Sequence, residues 1–382
     1  MPRPPHVSPH VAAMPGGIYS ALAHRLEARE GEVYPFHVGD TWMEPPDGCR
    51  MEDLRTADHP GLHRYAPVQG LPALLDAIVE RQRARTGLPV ERRDVLVAAG
   101  ATGALGAVVG ALVAPGDEVL VLAPHWPLIA GIVRAVHGVP VPVPFFPEVT
   151  SVAEAVAAVA ARLTARTVAL YLSTPNNPTG RVLPAAWLEA LAAWASDQGL
   201  WLLADEVYED YQFEGRHAYT RPLLPGRTFS AHSFSKAYGM AGNRCGYVVG
   251  PGEVMEHVRK VSTHTFYATP TAAQVAAARA LTGPGDAWAA AARARYADLG
   301  ARVAARLGLP APEGSTFLFF DVARRLDARG LQGFLEDCVE RGLLLAPGPS
   351  FGPYPTHVRL CYTAAPPDVT LRGVEALAPL LA

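Results

Sequence analysis

Lysine is almost absent from this 382-residue chain: of its 33 basic residues only Lys236 and Lys260 are lysines, and the rest are arginine. A guanidinium stays protonated at any working pH, whereas a lysine amine can lose its proton and attack a carbonyl, so chemistry that needs an amine nucleophile cannot pass to arginine. Lys260, in VMEHVRKVS, reads as an exposed helical lysine. Lys236, in SFSKAYGMAGNR, follows the predicted strand TFSAHSF and precedes Arg244 by eight positions. There it can form a Schiff base with an aldehyde and, once freed, carry a proton as general base and acid. Asp205 closes the apolar run WLLA, which predicts a buried carboxylate that demands a partner. Arg359, in VRLCY, poses the converse problem, and the carboxylate of an amino acid would answer it in bidentate geometry.

These residues need elements to hold them. Between Asp94 and Asp117 lies VLVAAGATGALGAVVGALVAPG, long and uncharged enough to suggest a membrane span. Four interior glycines and the lack of basic or aromatic anchors argue against that. It reads instead as a buried strand DVLVAAG, a Gly-rich turn, a helix ended by Pro115-Gly116, and a second strand DEVLVLAP. The alternation continues through GIVRAVHG with VPVPV, a helix from about Ser151 to Ala165, and the strand TVALYLS. A helix from about Pro184 to Gln198 then precedes the strands LWLLADE, TFSAHSF and RCGYVVG. Strands apolar on both faces with helices between them imply an α/β fold, a mostly parallel sheet sandwiched by helices, whose function clusters at the strands' carboxyl ends. From about Thr271 long Ala/Arg helices, STFLFFDV, a helix near Leu331 to Arg341 and HVRLCYT predict a smaller α+β domain. The expected division is an N-terminal segment 1–40 joining the small domain, a large domain 41–268 and a C-terminal small domain 269–382.

In that frame Gly100-Ala-Thr-Gly opens a helix, where backbone amides of Ala101 and Thr102 can hold a phosphate with help from Arg244 and the Ser233 hydroxyl. Trp126, NNPTG around Asn177, ADEVY with Asp205 and Tyr208, SFSKAYGMAGNRCGY and RLCY follow in order. Through these motifs, from about Gly39 to Arg359, the sequence resembles the aspartate aminotransferase superfamily, the fold-type I enzymes dependent on pyridoxal phosphate. The resemblance implies a Lys236 Schiff base with the cofactor and Asp205 paired with its protonated ring nitrogen, which makes the ring an electron sink. It further implies Trp126 stacked on the ring, and Asn177 and Tyr208 bonded to its phenolic oxygen. Arg359 would bind the substrate α-carboxylate, with Gly39 close to the same group. Tyr65 would reach the phosphate of a neighbouring subunit, making the site a property of a homodimer. The implied reaction moves an amino group between an L-amino acid and a 2-oxo acid. A β-eliminating lyase or other carbanion-type enzyme on the same fold is an alternative, and a non-catalytic cofactor-binding sensor is another.

Read without the resemblance, several residues keep structural alternatives. Asp205 can cap a helix, Arg359 can form a salt bridge, Asn177 can be the turn residue of Asn-Pro, and Trp126 and Tyr65 can simply pack. Gly39-Asp40-Thr41-Trp42 departs from the Gly-x-Pro of many relatives. Tyr19, Trp42, Phe266 and Tyr267 lie where relatives line the side-chain pocket, so an apolar or aromatic substrate is favoured, and no second arginine for a dicarboxylate is evident.

With 49% hydrophobic and 18% charged residues the chain is too apolar for disorder, and a net charge of -3 with mixed signs offers no field for nucleic acid or anionic membranes. Cys49, Cys245, Cys338 and Cys361 are too dispersed for a disulfide framework or a zinc site, which favours a reducing cytoplasm. The proline-rich start lacks the apolar run of an export signal. The pairs His6/His10 and His59/His63 are interrupted by Pro9 and Pro60, so no metal site is expected. Gly100, Gly103 and Gly106 mimic a dinucleotide turn, but the following strand ends without the acidic residue that would hold a ribose.

Overall fold

A computed structural model of the chain describes residues 5–12, Met14, Leu22, Arg25 and 30–382. The apolar runs pair into one seven-stranded sheet: β1 (Val95–Ala98), β2 (Glu118–Ala123), β3 (Val139–Pro144), β4 (Thr167–Ser173), β5 (Trp201–Asp205), β6 (Thr228–Ser233) and β7 (Gly246–Val249). Their order is β1-β7-β6-β5-β4-β2-β3. All neighbours are parallel except β7, which runs against both β1 and β6. The reason is the length of the connection. A parallel return needs a crossover, usually a full helix, whereas the β6–β7 segment holds only a four-residue helical turn and a short 3-10 turn.

Helices α1 (Pro72–Thr86), α2 (Gly100–Leu112), α3 (Pro127–Ala135), α4 (Val152–Ala160), α5 (Ala185–Asp197), the turn α6 (Phe234–Ala237) and α7 (Gly252–Thr265) accompany this sheet. Strands β1, β2 and β4 to β7 are almost wholly buried, because α2 and α7 pack on one face with Leu96, Val121 and Leu203, while α4 and α5 pack on the other with Leu120, Leu170 and Leu202. Each such aliphatic side chain contributes roughly 1.5–3 kcal/mol on burial. The charge-free stretch after Asp94 is β1, α2 and β2, and among the described residues no helix is long and apolar enough to cross a membrane. The helix expected from Ser151 stops at Ala160, five residues early. Its start is fixed by Ser151, whose hydroxyl accepts from the Glu154 amide.

The remaining helices are α8 (Thr271–Thr282), α9 (Gly285–Leu307), α10 (Gly330–Glu340) and α11 (Pro367–Leu381). A three-stranded antiparallel sheet, order β8-β10-β9, is made of β8 (Phe317–Asp321), β9 (Ala346–Pro347) and β10 (His357–Cys361). Its core takes in α9, α10, α11 and also Tyr34 and Phe36 from the start of the chain. Helix α8 instead buries Ala273, Ala276 and Ala277 with α1 and the inner face of β7.

One close approach ties the sheet to the start of α2. A Cβ at Gly246, in β7, would lie 2.7 Å from the His232 carbonyl oxygen, 2.8 Å from the Ala101 nitrogen and 2.8 Å from the Gly100 carbonyl carbon, all backbone. Gly246→Ala is therefore expected to destabilise the protein by about 1–3 kcal/mol, read as a lower urea midpoint. An unchanged midpoint would show that β7 and α2 can separate freely.

Candidate active site

Strands β1, β2, β4, β5 and β6 share one direction, so their carboxyl ends meet at one edge of the sheet. There a cavity of about 300 Å³ opens. It is lined by Gly39, Ala101, Thr102, Trp126, Asn177, Asp205, Tyr208, Ser233, Lys236, Arg244 and Arg359, residues drawn from segments separated by up to several hundred positions. Leu128, Val207 and Ser235 complete the wall.

Asp205 ends β5 and is 4% exposed. Its Oδ2 accepts a 2.7 Å hydrogen bond from the Tyr171 hydroxyl, and its Oδ1 receives only a longer one, 3.4 Å, from the Val207 amide. Burial raises its pKa to about 6, against the Tyr171 and Val207 hydrogen bonds that lower it.

Lys236 stands in the α6 turn, which Ser233 starts by accepting the Ser235 amide at 3.1 Å. Its Nζ donates to the Gly39 carbonyl. Burial, followed by the smaller effects of the Arg359 and Arg244 guanidiniums, lowers its pKa, with Asp40 opposing, so the amine is drawn toward its neutral, nucleophilic form.

Arg244 and Gly100 both adopt left-handed backbone, at φ 50° and 68°. Glycine is required at the second position for a further reason. A Cβ there would lie 2.5 Å from Arg244 Nη2, so the guanidinium rests against the first turn of α2 where its free amides point. Arg244 Nη1 also donates to the Ala241 carbonyl at 2.9 Å and lies 3.5 Å from the Ser235 hydroxyl.

Arg359, in β10, is 4% exposed. Its Nη1 donates to Asn177 Oδ1 at 3.0 Å and its Nη2 to the His37 carbonyl at 2.6 Å, while the rings of Phe317 and Phe351 lie 4.4 and 4.8 Å from the guanidinium carbon. Asn177 lies within a turn in which Asn176 Oδ1 accepts from Thr179 N and Oγ1 at 3.1 and 2.7 Å. Tyr208 is buried edge-on to Phe317, and burial raises its pKa. Trp126 is half-buried just before α3.

Two predicted site residues lie outside this wall. Gly100 shapes it from behind, as described. Tyr65 is 88% exposed, its ring set edge-on against Tyr267 at 5.2 Å. Of the residues expected around a substrate side chain, Trp42 packs on Tyr296 at 5.3 Å, Phe266 sits over Gly103, and neither these nor Tyr267 lines the cavity of its own chain. Tyr19 lies outside the described residues. His59 Nε2 accepts from Arg279 Nη2 at 2.6 Å, His10 packs on the His137 ring at 4.2 Å, and no cluster suited to a metal occurs among the described residues. Sequence reasoning missed Tyr171 and Ser235. The first had no distinctive signal, being one of three hydroxyl residues in TVALYLS, and the second directly precedes Lys236.

A buried carboxylate at one end, helix amides with a guanidinium at the other, and an amine between them suit a phosphorylated aromatic aldehyde. In its absence the Asp205 charge opposes folding. With a folded pKa near 6 and an ordinary unfolded one near 4, the cost is absent below about pH 4 and complete above about pH 6. Cofactor-free Asp205→Asn is expected to gain about 1–3 kcal/mol at pH 8 and nothing at pH 4, measured by thermal unfolding. A gain that persists at pH 4 would contradict this.

The sequence profile of the aminotransferase class I and II family matches residues 19–377. The aspartate/prephenate aminotransferase of Thermus thermophilus is 33% identical over 387 residues, covering 98% of both chains. The arginine–pyruvate transaminase of Pseudomonas aeruginosa is 36% identical over 352 residues, covering 90% of this chain and 88% of that one. The structure of Thermus thermophilus aspartate aminotransferase with maleate superposes with a TM-score of 0.89 at 31% identity, over 98% of this chain and all of the other. By profile, sequence and fold together, the chain belongs to the class I and II aminotransferases and is a pyridoxal phosphate-dependent enzyme that moves an amino group between an amino acid and a 2-oxo acid.

Proposed function

We propose that the cavity at the carboxyl edge of the sheet is where this transfer occurs, with Lys236 as the covalent anchor. The observation that carries the reading is the convergence of Lys236, Asp205, Arg244 and Arg359 in one cavity of about 300 Å³. When bound, pyridoxal phosphate supplies an aldehyde that condenses with amines and a protonated ring that withdraws electrons from the substrate's α-carbon. Asp205 accepts the ring N–H. The Ala101 and Thr102 amides beyond Gly100, with Ser233 and Arg244, hold the phosphate. Trp126 limits ring tilt by stacking, and Asn177 and Tyr208 donate to the phenolic oxygen. Arg359 takes the substrate carboxylate, with Gly39 and Asn177 beside it, and its own bonds to Asn177 and His37 fix the plane in which it does so. Lys236 Nζ, once free, would take the proton from the substrate's α-carbon. Its lowered pKa supports that role, since burial draws the amine toward its neutral form.

Further parts of the reading concern assembly and place. The enzyme works as a homodimer in which Tyr65 reaches the phosphate site of a neighbouring copy; its 88% exposure outside its own cavity supports this. Residues 1–40 join 269–382 as a small domain against the large domain 41–268, supported by Tyr34 and Phe36 in the core of the three-stranded sheet. The four buried, free cysteines fit a reducing cytoplasm. Among the described residues Lys236, Arg244 and Arg359 are the cations of the cavity wall and each already has a role, which supports a substrate side chain without a second carboxylate.

Borohydride treatment of the loaded enzyme should fix one cofactor on Lys236, detected by intact mass and peptide mapping, and Lys236→Ala should lose the adduct and the visible absorbance. An adduct on another residue would reject the assignment. In a donor panel, aspartate and glutamate should be the weaker substrates, and Arg359→Leu should raise KM for every donor by about a hundredfold, the worth of a bidentate charge-assisted pair of about 3 kcal/mol. Strong turnover of aspartate, or an unchanged KM, would overturn this part.

A further inference from the structure

Strand β4 contains one residue that the reading above leaves without a task. Tyr171 sits in TVALYLS, within a core otherwise made of Leu96, Val121, Leu203, Phe229 and similar apolar side chains, and is fully buried. A hydroxyl there is costly unless bonded, and it does not line the cavity. In the β4–β5 register Ser173 is opposite Asp205 and Tyr171 opposite Leu203, which puts Tyr171 on the same face as Asp205, one diagonal step away. A tyrosine spans that step, and its hydroxyl reaches Asp205 Oδ2 at 2.7 Å.

Resting on the proposed role of Asp205, we propose that Tyr171 is a positioning residue: its hydroxyl holds Asp205 in one orientation and keeps the shared proton on the cofactor ring rather than on the carboxylate. The two carboxylate oxygens are treated unequally. Oδ2 is committed to Tyr171, whereas Oδ1 has only the 3.4 Å Val207 amide and is left to accept the ring N–H. Tyr171 keeps the proton it donates, because burial and the adjacent Asp205 charge hold its own ionisation well above the usual tyrosine range. Other groups bear on Asp205: His232 from β6 favours its ionised form, and Glu206, the next residue in the chain, disfavours it. Burial is the strongest influence, raising the carboxyl to about 6, and the Tyr171 bond is the foremost one opposing it. Tyr208 faces the same carboxylate from beyond β5.

Tyr171→Phe removes one oxygen and keeps the ring that fills the core. In the holoenzyme loaded with pyridoxal phosphate labelled with ¹⁵N in the ring, the nitrogen resonance of this variant should move toward the unprotonated position. The acid limb of kcat should rise by about one pH unit, and kcat at its optimum should fall about tenfold with KM little changed, the effect of one hydrogen bond to a charged group. A role in packing alone would leave the resonance and the limb where they are, and that result overturns the proposal. Loss of the label from wild-type enzyme would instead condemn the cavity assignment, so the two failures are distinct. Should the variant not fold, the wild-type holoenzyme still decides: the Tyr171 hydroxyl proton should give a downfield, exchange-protected signal, and its absence overturns the proposal.

Discussion

Asp205 lies at the carboxyl end of a central strand with almost no access to water, and a carboxylate there stays ionised only while neighbours donate to it. This need organises much of what surrounds it. Strand β4 brings Tyr171, the turn after β5 brings the Val207 amide, and β6 adds His232, which favours the ionised carboxylate. These donors leave the burial penalty incompletely offset, which is a reason for a cationic ring nitrogen to be favoured at the same place. The stability lost in building the site is thus a measure of how strongly it favours its cofactor.

A second consequence concerns Lys236. Cationic groups crowd the same cavity, and burial acts with them to depress the proton affinity of the one amine present. The antiparallel return of β7 makes this crowding possible. Because the chain turns back within a short segment after β6, Lys236 and Arg244 fall on the same edge of the sheet, and Gly246 lets the start of α2 press against that return. Arg359 comes from the other sheet, carried into the cavity by β10 and locked by Asn177, His37 and two aromatic rings. A guanidinium fixed this way loses little entropy when it meets a carboxylate, so its affinity depends on the two sheets keeping their relation.

The motifs around Lys236, Asp205, Asn177 and Arg359 were legible because each places an unusual group beside a strand end, where a chemical reason for it is needed. The β–α alternation was legible from hydrophobic period, including the rejection of a membrane span in the stretch that became β1, α2 and β2. Tyr171 escaped because a tyrosine in a strand is ordinary; only the lateral pairing of β4 with β5 reveals what its hydroxyl meets. The early end of α4 at Ala160 escaped for a related reason, since an alanine-rich run carries no stop signal of its own.

Local pattern therefore determined the element types and the family resemblance, because side-chain type and period are properties of short windows of chain. The tertiary structure decided which oxygen of Asp205 is bonded and by whom, how Arg244 rests on Gly100, and that Tyr65 faces away from its own cavity. Those facts depend on pairing register and on contacts between segments tens to hundreds of residues apart, and such contacts leave no periodic trace in either segment alone.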